Sequence, residues 1–100
     1  MSALHFLDEH TTVALDELTQ ASGLATSDIV ELVEFGVFEP LPSREQWRFS
    51  ARCIVRARQA ARLRRDFQLD SAALAVALAY LDRIESLEQQ VRELECQLLR

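Results

Sequence analysis

Apolar and polar residues alternate along the chain in two rhythms, and each rhythm predicts a different element. Leu4 to Leu7 is a short strand candidate, followed by a polar stretch from Asp8 to Thr12. Asp16 is then placed to cap a short helix through Ser22, with Leu15, Leu18 and Ala21 on one face. Gly23 stops it, since glycine accepts the left-handed conformation that ends many helices. Thr26 or Ser27 caps a second helix over about 27–35, whose Ile29, Val30, Val33 and Phe35 form the buried stripe, and Gly36 closes it. Two short helices joined by Gly23-Leu24-Ala25-Thr26 make a helix-turn-helix pattern. Val37-Phe38-Glu39 and Trp47-Arg48-Phe49 flank a polar connection holding Pro40 and Pro42, which predicts a hairpin, or wing. Ser50 caps a third helix over about 51–66, and Asp70 caps a fourth that runs almost to the C-terminus.

The fourth helix changes character along its length. Ala72 to Leu81 is nearly all apolar, which predicts burial in the core. Beyond it the apolar positions are Ile84, Leu87, Val91, Leu94 and Leu98, spaced three and four apart in turn. That is the a/d seam of two heptads, and it predicts a homodimer contact. The expected organisation is an all-α fold with a small β wing. Residues 1–70 form a winged helix-turn-helix domain, and residues 71–100 a long C-terminal helix, part core and part dimerisation seam, within one compact unit.

Composition agrees with this picture. The chain of 100 residues is 49% hydrophobic with only two glycines and two prolines, which excludes linkers, collagen-like repeats and loop-rich β folds. No run approaches the roughly 20 apolar residues that cross a bilayer, and the N-terminus meets acids at once, so a cytoplasmic protein without membrane contact is expected. Cys53 and Cys96 lack metal-ligand spacing, and His5 and His10 stand without a ligand constellation, so no metal or cofactor is expected. Nucleophile, phosphate-loop and metalloprotease motifs are all missing, and the carboxylate pairs Asp8/Glu9 and Asp16/Glu17 lie on polar stretches, so no enzyme is expected.

Charge is strongly segregated. Residues 1–43 carry −8, residues 44–65 carry +7 from eight arginines against Glu45, and residues 66–100 carry −4. Every basic residue is Arg, whose planar fork suits carboxylates and phosphates alike. The basic block therefore either binds phosphate or pairs with the acidic flanks. On a helical wheel Arg52 and Arg56 form one cluster and Arg58, Arg62 and Arg65 another.

The ordered series Leu32-Val33-Glu34-Phe35-Gly36-Val37-Phe38-Glu39-Pro40, Trp47-Arg48-Phe49, Ala60 to Asp70 and Ala75 to Ile84 resembles the CbpM family of chaperone modulators, within the MerR-like superfamily. The resemblance covers essentially the whole chain. It implies an adaptor that binds the J-domain of a CbpA-like, DnaJ-related co-chaperone and inhibits its stimulation of the Hsp70 DnaK, and with it the co-chaperone's DNA binding. The alternative is a MerR-like transcriptional regulator. In MerR relatives wing arginines touch the DNA backbone, which would give Arg44, Arg48 and Arg52 that role.

The charges discriminate between the two. The helix that would enter the major groove, Ser27 to Phe35, has three carboxylates and no cation, so phosphate repels it and specific DNA reading is not expected. J-domains as a class carry a basic second helix, which an acidic face suits. Asp28, Glu31 and Glu34 are one candidate patch, and Glu85 and Glu88, with Glu93 and Glu95, are another. For the arginines the expected partners are Asp66, Asp70, Glu39 or an acidic partner chain. Trp47 and Phe49 are expected to pack the wing onto the core, and Tyr80 to lie in the core with its hydroxyl at an edge.

Overall fold

A computed structural model of the protein describes residues 11–42 and 46–99. The strand expected at Leu4–Leu7, both histidines, Asp8/Glu9 and Arg44 lie outside the described residues. In chain order the elements are β1 (Thr12–Ala14), α1 (Leu15–Ser22), α2 (Thr26–Glu34), β2 (Arg48–Ser50), α3 (Cys53–Phe67) and α4 (Ser71–Leu98). This is the expected class: helices throughout, with a minor β element.

The two short helices start differently from expectation. Neither Asp16 nor Thr26 nor Ser27 is a cap, because the chain enters each helix from an extended alanine, Ala14 or Ala25. The carboxylate three residues further on reaches back instead. Glu17 Oε1 accepts the Ala14 N–H at 3.0 Å, and Asp28 Oδ2 accepts the Ala25 N–H at 3.3 Å. A carboxylate in a first turn also meets the positive end of the helix dipole. The stops match the sequence reading. Gly23 is left-handed at φ 86° and donates to Thr19 O at 2.9 Å. After α2, the Gly36 N–H bonds Val33 O and the Val37 N–H bonds Leu32 O, the paired bonds of a Schellman stop.

The wing is built otherwise than as a hairpin of 37–39 with 47–49. β2 pairs antiparallel with β1, in the register Thr12↔Ser50, Val13↔Phe49 and Ala14↔Arg48. The 37–39 segment is spent on other work: the Val37 N–H closes α2, and Phe38 turns into the core edge-on to Phe49 with ring centres 6.5 Å apart. The returning chain touches β2 through a single bridge, Leu41 to Arg48. Ser50 accordingly stays in β2, its hydroxyl accepting the Arg52 N–H at 3.2 Å, and α3 begins at Cys53. The Asp70 cap is as expected, accepting the Ala73 N–H at 2.8 Å.

The core is formed by Leu18 of α1, Ile29 and Leu32 of α2, Phe49 of β2 and Leu74 and Leu78 of α4, all essentially without solvent contact. Ile54, Ala57 and Ala60 put a small-residue face of α3 under them, which lets α1 approach closely. The α2 stripe is narrower than expected: Val30 and Val33 are half-buried and Phe35, at the stop, is exposed. The first half of α4 is likewise buried along one line only. Val76 is 57% exposed and Tyr80 66%, so neither is core. α4 packs against α2 and α3 on one side, and no described element covers the other.

Candidate interaction surfaces

Among the described residues, the exposed line of α4 forms a long apolar feature of the surface. Arg56 holds the helix to α3 through Asp82 and Glu85, both at 3.2 Å, and every described residue from Arg83 onward is exposed. Ile84, Leu87, Val91, Leu94 and Leu98 fall on one stripe, from 44% exposed at Leu87 to 84% at Leu98. Ile84, Leu87 and Val91 line a shallow groove with Glu88 and Arg92. At 3.6 residues per turn the stripe lies roughly 140° from the line of Leu74 and Leu78, so it faces away from the domain. Tyr80 and half-buried Ala77 continue it in the same spacing, one heptad further back than the sequence reading took it. The spacing contained that signal. The run of alanines around Tyr80 pointed to the core instead.

The acidic patch on α2 is smaller than expected. Asp28 is not free: Arg64 Nη1 donates to its Oδ1, and only 14% of the Asp28 side chain is exposed. Glu31 and Glu34 remain, three residues apart on the solvent face, with no cation in the helix. On α4, Glu85 is engaged by Arg56, whereas Glu88 is exposed.

The arginines are mostly tied into the fold, but to partners other than those expected. Arg48 donates from Nε to Thr12 Oγ1 at 3.0 Å and from Nη2 to Thr12 O at 3.2 Å, fastening β2 to β1. Arg52 lies in the turn before α3. Arg58 Nε donates to Ala21 O at 2.9 Å, at the carbonyl end of α1, where a cation also meets the negative end of the helix dipole. Arg64 bonds Asp28 and, at 3.3 Å, Ser71 Oγ. Of the anticipated pairings, Arg65 with Asp66 forms among the described residues, at 3.4 Å and in solvent, while Asp70 is used as a cap.

Phe49 is the aromatic anchor of the wing. Trp47 packs edge-on over it at 6.0 Å and keeps 38% of its surface exposed. Cys53 is half-buried, and burial pushes its thiol pKa up against a smaller opposing hydrogen bond from the Ser50 backbone, while Cys96 is exposed on α4. Among the described residues no group of three His, Cys, Asp or Glu side chains is arranged to hold a metal.

Comparison with known proteins accounts for this layout. Residues 13–96 match the family model described as MerR HTH family regulatory protein, a span that runs from β1 nearly to the end of α4. A Coxiella burnetii protein named chaperone modulatory protein CbpM is 39% identical over 90 residues, covering 89% of this chain and 85% of the relative. The Escherichia coli O1:K1 / APEC protein of the same name is 33% identical over 90 residues, covering 89% of each. The chain belongs to the CbpM family. As CbpM relatives carry the name of a modulator and the family model that of a regulator, the role of the fold is regulatory. In this CbpM-family chain no described helix is long and apolar enough to cross a membrane.

Proposed function

We propose that the chain is a regulatory adaptor that binds the J-domain of a CbpA-type co-chaperone and thereby inhibits its stimulation of Hsp70. The observation that carries this reading is the solvent face of α2, where Glu31 and Glu34 stand exposed on a helix that contains no cation. A basic J-domain helix docked there would be withheld from the chaperone by direct competition, and would be withheld from DNA by the same contact. Opposite potentials speed such an encounter and orient it. The adaptor acts by occupancy rather than by chemistry, and its place is the cytoplasm, where such a partner works. Residues 1–70, braced by the anchored turns of α4, present the binding face. The seam from Ile84 to Leu98 joins two copies.

Major-groove reading by α2 is disfavoured by the same carboxylates, and Arg48, one of the cations that a wing would offer to phosphate, is spent on Thr12. The test is calorimetry of the full chain against the isolated J-domain of a CbpA-like protein from the same organism at two salt concentrations. Binding that weakens with salt and falls at least about 10-fold in Glu31→Arg/Glu34→Arg supports the reading. Absence of binding at both salts refutes it. Binding untouched by the double reversal removes α2 as the face.

A further inference from the structure

The arginines of α3 that are not tied to carboxylates of other helices stand together. Val55, Arg58, Arg62 and Arg65, spaced three, four and three residues apart, form one line along the helix, and all four are exposed. The residues that α3 buries, Ile54, Ala57 and Ala60, lie on its other side, where α1, β2 and α4 pack. No described element covers the line.

The cations of this line keep donors to offer, unlike Arg56 and Arg64. Arg62 has no partner among the described residues. Arg65 bonds Asp66 at 3.4 Å, with 73% of its side chain exposed. Arg58 spends Nε on Ala21 O, which restrains the guanidinium and leaves both Nη groups without an acceptor among the described residues. A guanidinium restrained in this way loses less freedom when it meets an anion, and its planar fork takes carboxylate oxygens in pairs. At the head of the row Val55, 44% exposed, supplies an apolar contact.

Two classes of anion fit a row of arginines, and the dimensions of this row separate them. From Arg58 to Arg65 the helix rises about 10 Å. A second helix lying along α3 repeats its carboxylates at the same pitch when they stand three and four residues apart. A nucleic-acid backbone is instead a continuous run of charge, about one per 1.7 Å of duplex, and gains affinity by extending over many cations. Here it would run past the row onto Asp66, four residues after Arg62 on the same face, and onto a chain of net charge −5. A short row with an apolar head suits the short ligand.

We propose that the outer face of α3 is a second docking surface, which holds an acidic amphipathic helix of a partner protein. Its carboxylates lie on Arg58, Arg62 and Arg65, and an apolar side chain lies on Val55. The surface shares no residue with the acidic face of α2, so the proposal goes beyond the adaptor reading and does not depend on it. The test is fluorescence anisotropy of the full chain with a labelled, capped, alanine-based helical peptide that bears one leucine and three glutamates at the α3 spacing. Its glutamine counterpart and a labelled DNA duplex are run beside it. The expected results are binding of the glutamate peptide that weakens with salt and falls at least about 5-fold in the glutamine peptide. Arg62→Glu should weaken it about 10-fold, and Arg83→Glu, the same charge change at an exposed arginine of α4, less than about 2-fold. No binding of the glutamate peptide at low salt overturns the proposal. Equal weakening by the two variants also overturns it, since the attraction then belongs to overall charge. Tighter, Arg62-dependent binding of the duplex gives the face to phosphate and overturns it as well.

Discussion

The ion pair of Arg64 and Asp28 should be worth far more to this fold than an ordinary surface pair, and the structure bounds its value. It links α2 to α3, and Arg64 Nη2 extends it to buried Ser71 at the start of α4. The Arg64 and Asp28 side chains are 32% and 14% exposed, and Arg64 Nε is buried without an acceptor. Exposed pairs contribute about 0–1 kcal/mol, while stripping one partner from a buried pair costs about 3–5 kcal/mol. Asp28→Ala lies between these limits, at about 2–3 kcal/mol, because it strands a half-buried guanidinium and also removes the acceptor for the Ala25 N–H. Arg64→Met keeps the aliphatic stem and should cost about 1.5–2 kcal/mol. The double variant leaves no unpaired charge, so it should lose about 1–1.5 kcal/mol less than the sum of the two. Urea unfolding followed by far-ultraviolet circular dichroism, at one fixed protein concentration so that association does not move the midpoint, measures the cycle. Additive losses, with a coupling below about 0.3 kcal/mol, would refute the claim that the pair braces the fold.

Three further outcomes are expected. Gln68, which ends α3 in the left-handed region at φ 56°, should stabilise the protein by about 0.5–1 kcal/mol when changed to Gly, as thermal unfolding would record; a loss would show that its side chain contributes something the backbone strain conceals. Leu74→Ala should cost about 2–5 kcal/mol, whereas Val91→Ala, at a position 51% exposed, should cost less than about 0.5 kcal/mol at concentrations where the chain is monomeric; equal effects in urea titration would contradict the one-sided packing of α4. Cys96 should be modified by a disulfide reagent well before Cys53, because burial raises the Cys53 pKa, leaves less thiolate at any given pH and shifts its reaction to higher pH; equal rates across a pH series would place Cys53 at the surface.

What the sequence revealed follows the range of the forces involved. Gly23, Gly36 and Asp70 act within four residues of themselves, and each does what its type and position predicted. Helix starts were misjudged because Asp16-Glu17 and Thr26-Ser27-Asp28 each offer more than one capping group. The extended alanines upstream decide which carboxylate reaches back. The partner of β2 lies 36 residues away at Val13↔Phe49, as do Asp28 from Arg64 and Thr12 from Arg48, and no window around any of them contains that information. Val76 and Tyr80 show a different limit. Apolar composition cannot distinguish a core from a surface awaiting cover, but the three-and-four spacing through Ala77, Tyr80 and Ile84 could have.

The charge segregation acquires a physical meaning once the contacts are known. α3 is pinned to every other helix by a different arginine: Arg58 to the carbonyl end of α1, Arg64 to the first turn of α2, and Arg56 to Asp82 and Glu85 of α4. Three arginines of the basic block are thus struts running outward from one helix to its neighbours. For a helix-turn-helix this has a direct consequence. Phosphate recruiting these cations would have to displace a carboxylate or a helix-end carbonyl from each, with the loss of a charge-assisted bond that the fold depends on. Glu31 and Glu34, which no strut reaches, are left as the outward charge of α2. The helix that a helix-turn-helix would lay against a polyanion therefore presents to solvent the same sign of charge as the polyanion itself.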